Sequence, residues 1–266
     1  MVPPPFLPKR RDDAASLACY ARYESDAALA QYCDAHYGPE KFGIPNFSVQ
    51  LIRLCAAAAE GIPKRSALDL GCAVGRASFE LTRHFERVTG VDFSARFIAT
   101  ARRLKDGSRI HYRLAEEGDL GSDHKVGLEE LDLAATAARA DFHQGDVQNL
   151  EGRFGNCDLV LAANLIDRLS APGHFLKTVH CHLAVGGLLA IASPYNWLEE
   201  FTPRRNWLGG RFRAGTPVTS AEGLAAHLAD RFVPLGQPRE LDFVIRETAR
   251  KYQHCLSQLT LWQRRR

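Results

Sequence analysis

Three aspartates, Asp69, Asp92 and Asp146, each stand at or near the end of a short run that reads as a buried strand. Carboxylates so placed can hold a ligand by its hydroxyls, its amines or its positive charge. The first lies in Ala67-Leu68-Asp69-Leu70-Gly71-Cys72-Ala73-Val74-Gly75-Arg76, where an apolar strand runs into a glycine-bearing turn and a helix pattern follows. Glycines let the backbone approach a ligand there, and a helix N-terminus faces it. The second acid closes the strand Arg87 to Val91, the position from which a carboxylate grips ribose hydroxyls. The third follows Ala140 to Gln144 and can accept from a base amino group, or simply serve a turn. Dinucleotide turns want G-x-G-x-x-G, because a pyrophosphate lies on the helix. Here the spacing is Asp69-x-Gly71-x-x-x-Gly75, with Ala73 where a middle glycine would stand. An acid before the first glycine repels a pyrophosphate and suits a cationic ligand.

Such residues need elements that bring them to one edge of a sheet. Asp26 to Tyr37 reads as a helix stopped by Gly38-Pro39, and about Ser48 to Glu60 as a second, ended by Gly61-Ile62-Pro63. Both precede the first strand and are placed to form a lid, residues 20–62. The alternating unit follows: strand 66–70, helix 75–85, strand 87–91, and a helix capped by Ser94 and running to Lys105. Residues 106–139 are too long for a plain connection and read as an insertion, with a strand near 109–113 and a helix near 128–138. Strands 140–144, 158–162 and 188–192 continue the sheet, with a helix at 172–183. A second insertion spans 193–217, and a helix covers 220–230. Residues 232–262 read as long strands with a turn near 248–251, paired antiparallel because no helix separates them.

The bulk numbers fit one soluble domain, about 20–266, after a proline-rich tail at 1–19 expected to be disordered. With 45% apolar and 24% charged residues the composition is that of a globular chain, and a net charge of +3 with scattered basic residues argues against a nucleic-acid partner. No run has the length and apolarity of a membrane span. The seven cysteines are scattered without C-x-x-C pairs, which suits free thiols in a reducing cytoplasm. His180-Cys181-His182 sits in a helix pattern, where residues two apart face different ways, so no metal site is expected.

The set of strand, Asp69, Gly71, Gly75, helix, strand and Asp92 resembles motif I and the ribose site of class I S-adenosylmethionine (SAM) methyltransferases. The resemblance implies an α/β, Rossmann-like fold: a mostly parallel seven-stranded sheet ending in an antiparallel hairpin, helices on both faces, and an inserted substrate cap. It also implies SAM as cofactor, with no metal. Ligands then bind at the carboxyl ends of the strands. That rule nominates Asp69, Gly71, Cys72, Ala73 and Gly75 from the first strand, with Asp69 near the methionine end. It nominates Asp92 and Phe93 from the second, with the ring on the adenine. Asp146 and Val147 come from the third, and Ala163 and Asn164 from the fourth. Asp167 and Arg168 lie just beyond, facing substrate or pairing with each other.

Further runs resemble one family more narrowly. They are His36-Tyr37-Gly38, Phe42-Gly43-Ile44-Pro45-Asn46-Phe47, Val91 to Ile98, Ala115-Glu116-Glu117-Gly118, Ala162 to Leu169, Ser193-Pro194-Tyr195, Trp197 to Pro203, Trp207-Leu208-Gly209-Gly210 and Phe243 to Thr248. Together they are similar to the methyltransferases of ovothiol synthesis, which also occur as the C-terminal domain of 5-histidylcysteine sulfoxide synthases. The resemblance implies an N-methyltransferase that acts on the side-chain-proximal ring nitrogen of 5-thiohistidine and gives ovothiol A. It would be a stand-alone enzyme served by a separate sulfoxide synthase and lyase. For that zwitterionic acceptor, Trp197, Tyr195 and Phe47 are candidate walls. Glu199, Glu200 and Glu247 are candidates for the ammonium, and Arg246 or Arg168 for the carboxylate. Asn46, Asn164 or Tyr37 could hold the ring tautomer, so Asn164, Tyr195 and Tyr37 are the candidates nearest the chemistry. Two alternatives stay open: another small-metabolite acceptor, or a SAM-binding subunit without catalysis.

Overall fold

The computed structural model describes residues 21–150 and 153–265, so the expected tail lies outside the described residues. Helix α1 spans Asp26–Tyr37 and α2 spans Phe47–Ala58. Ser25 and Asn46 cap them, each side chain accepting one of the free amides of the first turn. Strand β1 (Ser66–Leu70), helix α3 (Arg76–Leu81), strand β2 (Arg87–Asp92) and helix α4 (Ala95–Lys105) follow. Ser94 caps α4 by accepting from the Phe97 amide. After an insertion come β5 (Ala140–Gln144), β6 (Cys157–Ala163), α5 (Pro172–Thr178), β7 (Leu183–Ser193), α6 (Ser220–Leu228), β10 (Phe232–Pro234), β11 (Arg239–Arg246) and β12 (Tyr252–Arg264).

The main sheet runs β5–β2–β1–β6–β7–β12, with β10 and β11 both on the far edge of β12. The first five strands are parallel, and β12 is antiparallel to β7. Eight strands thus fill seven positions. The outermost is broken at 235–238, where Gly236 takes a positive φ and Pro238 cannot donate to a ladder.

Side chains alternate across this sheet with period two. Leu68, Leu70, Val160, Ala162, Leu189 and Ile191 enter one core, with Phe175 and Leu176 of α5 and Leu224 and Leu228 of α6. Ala67, Leu159, Leu161, Leu188, Ala190 and Ala192 enter the other, with Leu51, Ile52 and Cys55 of α2. Both faces are covered, as a parallel sheet requires. Leu51 and Ile52 are essentially inaccessible, and each such burial contributes about 1.5–3 kcal/mol. Helix α2 is therefore packed into the core along its length, with its first residues, Phe47 and Ser48, beside the cleft.

The insertions depart from expectation. Residues 106–139 form a β-hairpin, β3 (Ile110–Glu117) with β4 (Leu120–Val126), and then two short 3-10 turns in place of the expected helix. Gly118 takes the left-handed conformation at the hairpin turn. The second insertion carries a small ribbon, β8 (Arg211–Arg213) with β9 (Thr216–Val218). Among the described residues no helix is long and apolar enough to cross a membrane.

Candidate active site

A cleft opens over the carboxyl ends of β1, β2, β5 and β6, lined by Asp69, Gly71, Cys72, Ala73, Asp92, Phe93, Asp146, Val147, Ala163 and Asn164 among others. Asp69 falls on the face covered by α2 and α3, because it alternates with Leu68 and Leu70. Its carboxylate accepts from the Ser78 hydroxyl of α3 at 2.6 Å. Asp92 accepts from two amides, those of Ala73 and Ser94, each at 2.9 Å. The first bond ties the turn after β1 to the end of β2. Both acids are buried, at 1% and 6% exposure. Burial pushes Asp69 up to about 7, despite the Ser78 hydroxyl that favours its charged form. It pushes Asp92 up to about 6, against the same help from its two amides.

The turn itself needs glycine. Gly75 has φ 93° and starts α3, and a Cβ there would come within 2.9 Å of the Phe142 ring. Gly71 has φ 75°, with Leu165 3.0 Å from where a Cβ would sit. Three residues with side chains also adopt the left-handed region at strand ends around the cleft: Ala73 (φ 48°), Asn164 (φ 51°) and Tyr195 (φ 50°). Asp146 makes an Asx turn, accepting from the Gln148 amide at 2.9 Å and the Asn149 side chain at 2.6 Å.

Residues 68–191, from β1 into β7, match the family model described as a methyltransferase domain. Over that stretch, just under half of its length, the chain is similar to a methyltransferase domain. Its fold is the Rossmann-like class I methyltransferase fold, and solved structures agree. One is magnesium protoporphyrin IX methyltransferase (ChlM) from Synechocystis PCC 6803 with bound SAM: 13% identity, TM-score 0.58, covering 96% of this chain and 100% of that one. Another is the N-methyltransferase NodS from Bradyrhizobium japonicum WM9 in complex with S-adenosylhomocysteine (SAH): 16% identity, TM-score 0.54, covering 95% and 99%. No curated protein matches the chain.

The cleft fits a SAM-like cofactor on its own chemistry. Asp69 and Asp92 are buried acids whose hydrogen-bond partners among the described residues are a hydroxyl and amides, not a cation. A sulfonium nucleoside with an ammonium group and a ribose supplies what they lack. Each oxygen of Asp92 keeps accepting capacity beyond its amide.

Of the residues expected on the acceptor side, the structure brings Phe47, Arg168, Glu200 and Asn164 to the cleft. The others lie elsewhere. Tyr37 is buried, and its hydroxyl donates to the Val74 carbonyl at 2.6 Å. Asn46 is occupied as the α2 cap and donates to the Ala35 and His36 carbonyls. Tyr195 lies outside the cleft lining, its hydroxyl 3.4 Å from Gln258. Trp197 donates to Ser220 at 2.7 Å and stacks on Trp207, so the tryptophans pack the insertion. Arg246 pairs with Glu116 of the hairpin at 2.6 Å, and Glu247 with Lys251 at 2.6 Å. Glu199 is exposed away from the lining. Asp167 is buried and holds the Arg168 guanidinium at 2.9 Å. The two do pair, yet Arg168 still reaches the cleft and lies over the Phe201 ring at 4.8 Å.

Sequence reasoning missed Tyr23, Tyr32, His36, Ser48, Phe201 and Phe243, all of which line the cleft. Tyr32 and His36 stand four residues apart on α1, so one helix face presents both. That spacing is a signal the sequence contains. Phe243 shares a face of β11 with Leu241 and Ile245, and which way that face points depends on a pairing over the whole chain.

Proposed function

We propose that this SAM-dependent methyltransferase moves the methyl group to the side-chain-proximal ring nitrogen of 5-thiohistidine, giving ovothiol A. The observation that carries the methyl-transfer half is the pair of buried, cation-free acids at the ends of adjacent strands. The cofactor, when bound, supplies an electrophilic methyl carbon. Asp92 would hold its ribose and Asp69 its ammonium group, while Phe93 and Val147 flank the base and Asp146 accepts from the base amine.

The acceptor half rests on the sequence resemblance, together with the make-up of the cleft. Tyr23, Tyr32, Phe47, Phe201 and Phe243 give aromatic walls for a planar ring. Among the described residues Arg168 is the only Arg or Lys in the lining, and its Nη1 is committed to Asp167 and the Asn196 carbonyl. Its other N–H groups remain to grip a carboxylate. A neutral imidazole ring nitrogen already carries the attacking lone pair, so positioning does most of the work, and well-oriented reactants can gain about 7–11 kcal/mol. Asn164, which lines the cleft and accepts from the Ser257 hydroxyl at 2.7 Å, would orient the acceptor ring.

The test is incubation of 5-thiohistidine with SAM and the protein, followed by mass spectrometry. A product heavier by one CH2, methylated on the ring, is the expected result. One observation favours a second reading, another small-metabolite acceptor: Glu199, Glu247, Arg246 and Trp197 stand outside the cleft, which leaves, among the described lining residues not given to the cofactor, Arg168 and Glu200 as charged partners for an amino acid. Absence of that product with SAM bound would decide for it.

A further inference from the structure

Helix α2 begins in the cleft wall. Phe47 and Ser48, its first two residues, both line the cleft. The Asn46 side chain takes the Val49 amide and the Asn46 carbonyl takes the Gln50 amide. The amides of Phe47 and Ser48 have no partner among the described residues, which is the usual state of a helix start that awaits an anion. Ser48 is only 4% exposed, and its hydroxyl also makes no hydrogen bond among the described residues. That hydroxyl is not fully enclosed, so it is open to a ligand entering the cleft.

His36 meets this helix start from α1. Its carbonyl accepts from Asn46 at 3.0 Å and from the Arg76 guanidinium at 2.9 Å, which pins the junction of α1, α2 and α3. Its ring lines the cleft, while Nδ1 is buried without a partner. Burial and the nearby Arg76 lower its pKa to about 3, so the ring is neutral. A bare lone pair is better tolerated in an apolar wall than an orphan N–H. The proton therefore sits on Nε2, which can donate to a ligand.

These groups share a sheet face with Asp69. Phe47 packs in one cluster with Ala77, and the next residue, Ser78, is the partner of Asp69. An acid for an ammonium and a set of free donors for a carboxylate thus stand side by side, the complement of an α-amino acid. We propose that the start of α2, the Ser48 hydroxyl and the His36 imidazole form the subsite for the carboxylate of the cofactor's amino-acid tail. This rests on the SAM reading of the cleft.

Calorimetry with two probes tests it. SAH carries the carboxylate, and 5′-methylthioadenosine lacks the whole amino-acid tail. Ser48→Ala should weaken SAH about tenfold, and Ser48→Asp should weaken it further by charge repulsion. His36→Phe should weaken it by several-fold. All three should bind 5′-methylthioadenosine as the unaltered protein does. SAH affinity unchanged in Ser48→Ala and Ser48→Asp overturns the subsite, as does an equal loss for both probes. If the unaltered protein binds neither probe, the SAM reading itself fails and takes the subsite with it.

Discussion

The two halves of the cleft are built differently. On the cofactor side, the three acids are fixed by groups of the β1–α3–β2 unit or of their own turn. Asp92 is held by Ala73 and Ser94, and Asp146 by Gln148 and Asn149. On the acceptor side, the lining is gathered from afar: Tyr32 from α1, Phe47 from α2, Phe201 from an insertion, Phe243 from β11. Glu200 there is exposed and meets Arg22 at only 3.6 Å. A turn can specify the first kind of site by itself. The second kind exists only when the whole sheet has closed.

The largest effect should come from the fixed half. Asp92→Ala removes both the ribose acceptor and the link between two turns, and SAM affinity by calorimetry should fall about a hundredfold. Unchanged affinity would remove Asp92 from the ribose. On the gathered half, Arg168→Lys keeps the charge but loses the planar fork. We expect the acceptor KM to rise about tenfold, with SAH affinity within about twofold. A loss of SAH binding instead would move Arg168 to the cofactor side.

Next is a pH effect. Asp69 and Asp92 are raised to about 7 and 6 in the unliganded protein. A cation and ribose hydroxyls favour the ionised acids, so SAM affinity should rise about tenfold from pH 5 to about pH 7.5. Asp69→Asn should flatten that rise. The same sign makes the unliganded protein less stable as pH climbs through this window, because folded acids with raised pKa values bind more protons than unfolded ones. A melting temperature that rises from pH 5 to 7.5 would contradict it. The smallest effect should be Trp197→Phe, which loses the bond to Ser220. It should cost about 1 kcal/mol of stability and leave the acceptor KM unchanged. A raised KM would put Trp197 back in the acceptor wall.

What the sequence made legible follows the same division. The span of β1, the cap at Ser94 with the helix behind it, and the cluster of acids at strand ends are local, and each is readable from a handful of residues. Of the hairpin at 110–126 only the first strand is legible, because the burial of the pair falls mainly on Ile110, Leu114 and Val126, too sparse an alternation among charged residues for the second strand to stand out. Tyr37, Arg246 and Glu247 have the right chemistry for an acceptor, but each is satisfied by a partner that only the folded chain brings near. Polar type suggests a role; the partner decides it.

The three left-handed residues with side chains, Ala73, Asn164 and Tyr195, have a consequence for anyone who would harden this protein. Such conformations cost about 1–3 kcal/mol each, so these are among the places where a glycine could raise thermal endurance. Ala73 and Asn164 also line the cleft where the ligands must be met. The positions most open to improvement as a material are therefore those where improvement most endangers the work of the molecule.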